Sequence, residues 1–190
     1  MAEHRCPVWV GYFLANRLRK IVQNPTRILS PYVKPDMTIL DVGCAMGFFS
    51  LPAAELVRPR GKVVCADVQQ RMLDVLEKRG ARAGLAGLVE THLCDENTLG
   101  FEQRDETFDF ALAFAVIHEL SDPAGYLREI HRLLKSQAHL LLTEPAAHVG
   151  RNEFERTVSS ATRTGFVVTD RPRIHLSRAV VLKKPPPADT

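Results

Sequence analysis

The sequence lacks the features that mark several large classes of protein. Its cysteines, which are Cys6, Cys44, Cys65 and Cys94, show no C-x-x-C spacing, so we expect reduced, mostly buried thiols and no metal site. No apolar run is long enough to cross a bilayer, and the first residues do not form a secretory signal. The formal charge of +3 over 190 residues is small for a protein that binds nucleic acid. These absences predict a cytoplasmic globular protein with neither a membrane nor a nucleic-acid partner.

The sequence does contain a regular alternation of short aliphatic runs and amphipathic stretches. The aliphatic runs are typical of strands buried on both faces of a sheet, and they cover residues 38–42, 62–67, 88–93, 108–115 and 138–143. Helical spacing and helix-capping residues fill the intervals, most clearly over 69–84, 121–135 and 152–164. Two last strands, at 166–170 and 178–182, have no helix between them and can pair only as antiparallel neighbours. The pattern predicts a doubly wound α/β fold, with a mostly parallel seven-stranded sheet that ends in an antiparallel C-terminal hairpin.

The ends of the chain differ from this regular middle. Apolar residues at helical spacing over 10–22 predict an amphipathic N-terminal helix, which Asn24 and Pro25 are expected to end. Trp9 and Tyr12 either anchor this helix by apolar packing or line a pocket beneath it. We therefore divide the chain into an N-terminal helical lid at 1–33, a ligand-binding domain at 34–183 and a disordered tail at 184–190.

The strongest single pattern is a strand that runs into two glycines before a helix. Gly43 and Gly47 let the main chain turn sharply and let a ligand approach the backbone. Such a loop can bind a pyrophosphate, but Asp41, just before the turn, would repel phosphate and suits a ligand with ammonium and sulfonium charges. Asp67, at the end of the second strand, is placed to accept hydrogen bonds from a ribose. The alternative is a turn that only joins a strand to a helix.

Cys94 and Asp95 follow the third strand and extend this pattern. The cysteine could cover an adenine ring, and the carboxylate could accept a hydrogen bond from its amino group. Together with Asp41 and Asp67, they place an acidic side chain at the end of each of three strands. This arrangement resembles the motifs of the class I S-adenosylmethionine-dependent methyltransferases. Residues 108–123 are similar to the small-molecule subgroup of that family, which includes quinone-biosynthesis methyltransferases.

The resemblance implies a Rossmann-like methyltransferase fold that binds S-adenosylmethionine and releases S-adenosylhomocysteine. The cofactor contacts that it implies are Asp41, Gly43, Cys44, Ala45, Gly47, Phe48, Asp67, Val68, Met72, Cys94, Asp95, Ala113 and Ala115. There are two departures from the family pattern. Ala45 replaces the middle glycine of G-x-G-x-G, and Ser136-Gln-Ala replaces a Pro-Gly-Gly turn before the fifth strand. Alanine is small, so we expect the cofactor site to survive the first change.

Methyl transfer from a sulfonium requires an oriented acceptor and removal of its proton, because the donor is already activated. The groups for this task are expected at the carboxyl ends of the fourth and fifth strands. His118 and Glu119 follow the fourth strand, and Glu144 and His148 follow the fifth. We predict His118, Glu119 and His148 as catalytic, with either carboxylate orienting an imidazole. The predicted acceptor side is completed by Trp9, Tyr12 and Glu144. Each histidine taken alone is also compatible with a surface loop.

Several functions are compatible with these residues. The favoured one is methylation of a small-molecule acceptor, since the charge is modest and no recognition domain is added. The alternatives are an RNA or protein methyltransferase, a non-catalytic S-adenosylmethionine-binding protein and a nicotinamide-dependent dehydrogenase. Cys6 could bind a soft acceptor such as a thiol or a metalloid. An exposed sheet edge could pair two subunits into a homodimer.

Overall fold

The computed structural model describes residues 23–187, and these residues form a sheet flanked by helices. The strands are β1 (Thr38–Val42), β2 (Lys62–Asp67), β3 (Val89–Leu93), β4 (Phe108–Phe114), β5 (Leu134–Pro145), β6 (Val167–Asp170) and β7 (Ser177–Lys183). They lie in the order β3-β2-β1-β4-β5-β7-β6. Strands β1 to β5 pair in parallel, whereas β7 runs antiparallel between β5 and β6. The predicted doubly wound α/β sheet with an antiparallel C-terminal hairpin is confirmed.

Helices cover both faces of the sheet. They are α1 (Pro25–Leu29), α2 (Ser50–Leu56), α3 (Gln70–Arg82), α4 (Pro123–Leu133) and α5 (Arg151–Arg163). One hydrophobic core joins the sheet to α1, α2 and α3, and a second core joins it to α4 and α5. Successive residues of a strand point to opposite faces, so Leu141 of β5 lies in the first core and Leu142 in the second.

Helix α4 shows how the sequence sets local structure. A side-chain oxygen of Asp122 accepts a hydrogen bond from the backbone N–H of Gly125 at 2.9 Å. Pro123 takes the first helical position, where no backbone donor is needed. The buried stripe that follows consists of Tyr126, Leu127, Ile130 and Leu133. The capping pattern therefore predicted the start of this helix correctly.

Asn24 has a role that the sequence analysis did not predict, because its side chain accepts a hydrogen bond from the backbone N–H of Arg27 and caps the start of α1. The helix at 10–22 that it was expected to end lies outside the described residues. Two local predictions are wrong. The fifth strand begins at Leu134 and not at residue 138, so Ser136 and Gln137 belong to β5. Strand β3 is not buried on both faces, since it lies at the edge of the sheet and most of its side chains are half-exposed.

The predicted lid at 1–33, including the helix at 10–22, lies mostly outside the described residues. Its described part packs with the sheet, because Leu29 and Val33 are buried in the core beneath α2. At the other end, the backbone N–H of Lys184 donates to the carbonyl oxygen of Ala138 at 2.9 Å, so regular pairing extends into the predicted tail. Between residues 23 and 187, no helix is both long and apolar enough to span a bilayer.

The parallel register brings the carboxyl ends of the central strands to one edge of the sheet. Val42 pairs with Ala66 of β2 and with Ala113 of β4, and Ala113 pairs with Leu142 of β5. The segments that follow these strands therefore lie side by side. Most of the predicted site residues belong to this edge, where ligands of doubly wound sheets bind.

Candidate active site

The loop after β1 contains two glycines in the left-handed conformation. The φ angle is +70° at Gly43 and +79° at Gly47. A Cβ atom on Gly43 would lie 2.5 Å from Cγ2 of Val116, and one on Gly47 would lie 2.2 Å from Cδ1 of Leu76. Backbone conformation and close packing therefore both require glycine at these positions. The sequence analysis predicted the glycines from the turn and from ligand access, and it did not predict the packing.

Ala45, which replaces the middle glycine of the motif, also adopts a left-handed conformation, with φ of +47°. Its backbone N–H donates to Oδ2 of Asp67 at 2.9 Å, and the N–H of Gln69 donates to Oδ1 at 2.9 Å. Asp67 is buried, and burial raises the pKa of its carboxyl. The alanine keeps a glycine-like backbone, so the loop retains its shape and is fastened to the end of β2.

Asp41 is buried inside the sheet, directly below this loop. Its Oδ2 accepts a hydrogen bond from Oγ of Ser50 at 2.6 Å. The pKa of Asp41 is raised to about 7, mainly by burial. The nearby Asp67 adds to this rise, whereas the hydrogen bond from Ser50 opposes it. A cationic ligand close to this carboxyl would favour its ionised form, as the sequence-based argument requires.

A cavity of about 340 Å³ opens beside the ends of β2 and β3 and is lined by Val68, Cys94, Asp95, Glu96 and Asn97. The structure thus brings together three of the predicted cofactor residues. The sequence analysis missed Glu96 and Asn97, although a local signal exists. Oδ1 of Asp95 accepts a hydrogen bond from the backbone N–H of Asn97 at 2.9 Å, a turn that aspartate commonly forms with the residue two positions on. Burial raises the pKa of Cys94 to about 11, so its thiol is a neutral part of the lining.

Other predicted cofactor residues are less open to a ligand. The fully or almost fully buried ones are Cys44, Phe48, Met72 and Ala113. Phe48 packs edge-on against Phe49 within a core. Ala115 is half-buried, has φ of +61° and donates its backbone N–H to the carbonyl oxygen of Thr143 at 2.8 Å. Contacts of these residues with the cofactor stay a prediction.

The ends of β4 and β5 bring a histidine and a carboxylate into direct contact. Nδ1 of His118 lies 2.5 Å from Oε2 of Glu144, and the backbone N–H of His118 donates to Oε1 at 3.1 Å. Glu144 is only 1% exposed, whereas the His118 side chain is 18% exposed. The hydrogen bond with Glu144 raises the pKa of His118, although burial lowers it. Glu144 therefore holds one ring nitrogen and leaves Nε2 for other partners.

Glu119 and His148 lie close to this pair. Oε1 of Glu119 is 3.9 Å from Nε2 of His118. Burial raises the pKa of Glu119, and the charges of His118 and His148 lower it. His148 is exposed. Of the two carboxylates predicted to orient an imidazole, the structure thus places Glu144 in contact with His118. The predicted acceptor residues Trp9 and Tyr12 lie outside the described residues.

No metal centre is visible in the part of the chain that the structure describes. Among residues 23–187, no three histidine, cysteine, aspartate or glutamate side chains are arranged to hold a metal ion. Cys44, Cys65 and Cys94 are free thiols, and Cys6 lies outside this range.

A family model described as a methyltransferase domain matches residues 33–169, well over half of the chain. The chain belongs to this methyltransferase family. A solved S-adenosylmethionine-dependent methyltransferase of Aquifex aeolicus shares the methyltransferase's fold, with a TM-score of 0.83 at 25% identity over 95% of this chain and 100% of that chain. S-adenosylmethionine is the cofactor, as the resemblance implied.

Two curated relatives of the methyltransferase are named for quinone biosynthesis. It is 34% identical over 113 residues to the ubiquinone/menaquinone biosynthesis C-methyltransferase of Cellvibrio japonicus. This match covers 59% of this chain and 44% of the relative. It is 29% identical over 124 residues to the demethylmenaquinone methyltransferase of Symbiobacterium thermophilum. That match covers 65% of this chain and 49% of the relative. The chain thus spans less than half the length of these relatives. The resemblance to the quinone-biosynthesis subgroup is confirmed.

The residues of the methyltransferase's site fit S-adenosylmethionine. The hydrogen-bond donors to Asp41 and Asp67 are a hydroxyl group and backbone N–H groups, none of which carries a positive charge. A sulfonium ligand has such a charge, which the donors to these buried carboxyls lack here. Val68, which lines the cavity beside the ends of β2 and β3, directly follows Asp67 in the chain.

Proposed function

We propose that this methyltransferase transfers a methyl group to a small-molecule acceptor bound at the carboxyl ends of β4 and β5. The observation that carries the proposal is the contact between His118 and the buried Glu144, at the same sheet edge as the glycine loop. The names of the two relatives, which refer to quinone biosynthesis, support a small acceptor. The net charge of +3 favours such an acceptor over RNA.

In this proposal, residues at the ends of β1, β2 and β3 hold the cofactor. Asp67 accepts hydrogen bonds from the ribose hydroxyls, and Asp95 accepts one from the adenine amino group. Asp41 provides a negative charge for the cationic part of the ligand. When bound, S-adenosylmethionine supplies a methyl group that is activated by its sulfonium centre. The remaining task of the chain is to orient the acceptor and take its proton.

His118 performs the proton transfer. Its Nδ1 proton is held by Glu144, which favours the neutral tautomer with a lone pair on Nε2. Nε2 would accept the proton that the acceptor loses when its bond to the methyl group replaces the methyl–sulfur bond, with S-adenosylhomocysteine as the leaving group. Glu144 would stabilise the resulting imidazolium. Since Glu144 raises the pKa of His118, the imidazole is a stronger base but is neutral only at higher pH. We therefore expect activity to fall on the acidic side of this raised pKa.

Transfer of labelled methyl groups into a metabolite extract tests the proposal and identifies the acceptor. We expect His118→Ala to lower kcat by roughly 10²- to 10⁴-fold, the usual contribution of a general base, while affinity for S-adenosylhomocysteine is retained. The matched control is His175→Ala, which removes an exposed histidine from the β6–β7 loop.

Three results would contradict parts of the proposal. Label that enters RNA or protein, but no small molecule, would overturn the acceptor class. Tight S-adenosylhomocysteine binding without turnover in any fraction would support a non-catalytic binding protein. A His118→Ala variant with normal kcat would exclude this histidine as the base.

A further inference from the structure

The loop that lines the cavity after β3 is held from beneath by a tyrosine of α4. Tyr126 is only 1% exposed. Its hydroxyl donates a hydrogen bond to the carbonyl oxygen of Asp95 and approaches that of Thr98 at 3.5 Å. Burial and the nearby thiol of Cys94 raise the pKa of this hydroxyl. One buried oxygen atom therefore binds the backbone of Asp95 and lies near Cys94, the two cavity residues that are proposed to face adenine.

Two further side chains from the same region hold the loop. Oε2 of Glu129 in α4 accepts a hydrogen bond from the backbone N–H of Leu99 at 2.8 Å. Oγ of Ser121, just before α4, donates to the side-chain oxygen of Asn97 at 3.2 Å. The loop is thus attached to the α4 region along residues 95–99.

The loop needs such attachment because it has no regular structure of its own. Residues 94–107, between β3 and β4, form neither helix nor strand. The other buried positions of α4 are the aliphatic residues Leu127, Ile130 and Leu133. A hydroxyl among them costs stability unless it forms a hydrogen bond, and the Tyr126 hydroxyl finds its acceptors in the loop.

We propose that Tyr126 is a positioning residue for the adenine end of the cofactor. It acts through the backbone of Asp95, beside the thiol of Cys94, and it does not touch the ligand itself. This inference rests on the proposed placement of adenine beside these two residues. As a consequence, α4, which follows His118 in the chain, also sets the shape of the cavity proposed to hold adenine.

Binding measurements on the full chain test this role. The variant is Tyr126→Phe, which keeps the ring and removes the hydroxyl. Its matched control is Tyr32→Phe, since Tyr32 packs against the core on the other face of the sheet. Calorimetry compares S-adenosylhomocysteine with its inosyl analogue, in which a carbonyl replaces the adenine amino group. We expect Tyr126→Phe to weaken S-adenosylhomocysteine binding roughly 5- to 50-fold, the effect of one part-buried carbonyl left without its donor. Its preference for adenine over hypoxanthine should shrink, and KM for S-adenosylmethionine should rise by a larger factor than kcat falls.

A second variant distinguishes the loss of this attachment from a general loss of structure. Glu129→Gln weakens the other end of the attachment and is expected to show the same selective loss of adenine preference. If Tyr126→Phe binds both ligands as the unmodified protein does, the role of Tyr126 is excluded and the proposed function stands. If the unmodified protein itself shows no preference for adenine, the placement of adenine is wrong and this inference falls with it.

Discussion

The buried carboxyl of Asp41 links the stability of the protein to pH. Its pKa in the folded protein is about 7, compared with 3.8 for the ordinary group. A carboxyl with a raised folded-state pKa contributes stability that is fully present below pH of about 4 and is lost as the pH rises towards the folded-state value. Above that value, the folded protein carries a buried charge that water would otherwise solvate.

We therefore predict that Asp41→Asn stabilises the ligand-free protein at pH 8 and has little effect near pH 4. Asparagine is nearly isosteric, has no charge to bury and can still accept the hydrogen bond from Ser50. Urea unfolding at a series of pH values measures the difference in free energy, with the exposed Asp74→Asn as control. A difference that stays constant from pH 4 to pH 8 would contradict the shifted pKa. The variant should also bind S-adenosylmethionine more weakly, because the sulfonium loses a neighbouring negative charge.

The contact between His118 and Glu144 predicts a second pH effect. In Glu144→Gln the negative partner of the imidazole is removed, so the pKa of His118 should fall. NMR titration of the imidazole measures this pKa without any acceptor. Glu153→Gln removes a charge that has a smaller effect on His118 and should shift its pKa far less. Equal shifts in the two variants would show that the hydrogen bond with Glu144 does not dominate.

Single side chains differ in how far the sequence alone reveals them. Asp41 and Asp67 could be predicted because each lies at a strand end next to a turn, a relation that is local in sequence. The partner of His118 could only be narrowed to Glu119 or Glu144, since the choice depends on how β4 and β5 lie in space. Tyr126 was missed altogether. A tyrosine in an apolar helical stripe is typical of core packing, and its acceptor, Asp95, lies 31 positions away.

At the scale of secondary structure elements, β5 contains a residue in an unfavourable backbone conformation. Gln137 has φ of +67°, in a segment where the pairing of β4 with β5 shifts register between Phe108 and Phe110. A left-handed conformation costs a non-glycine residue roughly 1–2 kcal/mol. Gln137→Gly should therefore raise the free energy of unfolding by about 0.5–1 kcal/mol, after allowing for the greater freedom of glycine in the unfolded chain.

The neighbouring residue provides the control for this prediction. Ser136 lies in the same strand without a positive φ, so Ser136→Gly should lower the free energy of unfolding by about 0.5–1 kcal/mol. Denaturant unfolding of both variants measures the two effects. Two changes of the same sign would count against backbone strain at Gln137.

Element types were predicted more reliably than their ends and surroundings. Aliphatic runs and helix caps lie within a few residues of the elements that they define, so β1 and β2 were bounded correctly from sequence. The capping role of Asn24 was missed because a residue before proline can either end one helix or cap the next. The exposed position of β3 depends on strand order, which its own residues do not encode.

At the scale of the whole molecule, the two cores share one sheet, and the proposed cofactor site combines residues from the ends of several of its strands. A ligand that binds only this assembled edge stabilises the folded state by about 2.7 kcal/mol when its concentration is 100 times its Kd. For a domain of this size, each kcal/mol raises the melting temperature by about 2–4 °C. Saturating S-adenosylhomocysteine should therefore raise Tm by roughly 5–11 °C.

The same experiment distinguishes this cofactor from the dinucleotide that similar sheets bind. NAD should leave Tm unchanged, because its pyrophosphate would lie against the buried carboxyls of Asp41 and Asp67 instead of a donor-rich loop. Asp67→Asn should lose most of the S-adenosylhomocysteine effect, since it removes the charge proposed to bind the ribose while keeping the size of the side chain. Equal shifts with the two ligands would mean that the loop recognises adenosine alone, and the argument from carboxyls at successive strand ends would then be wrong.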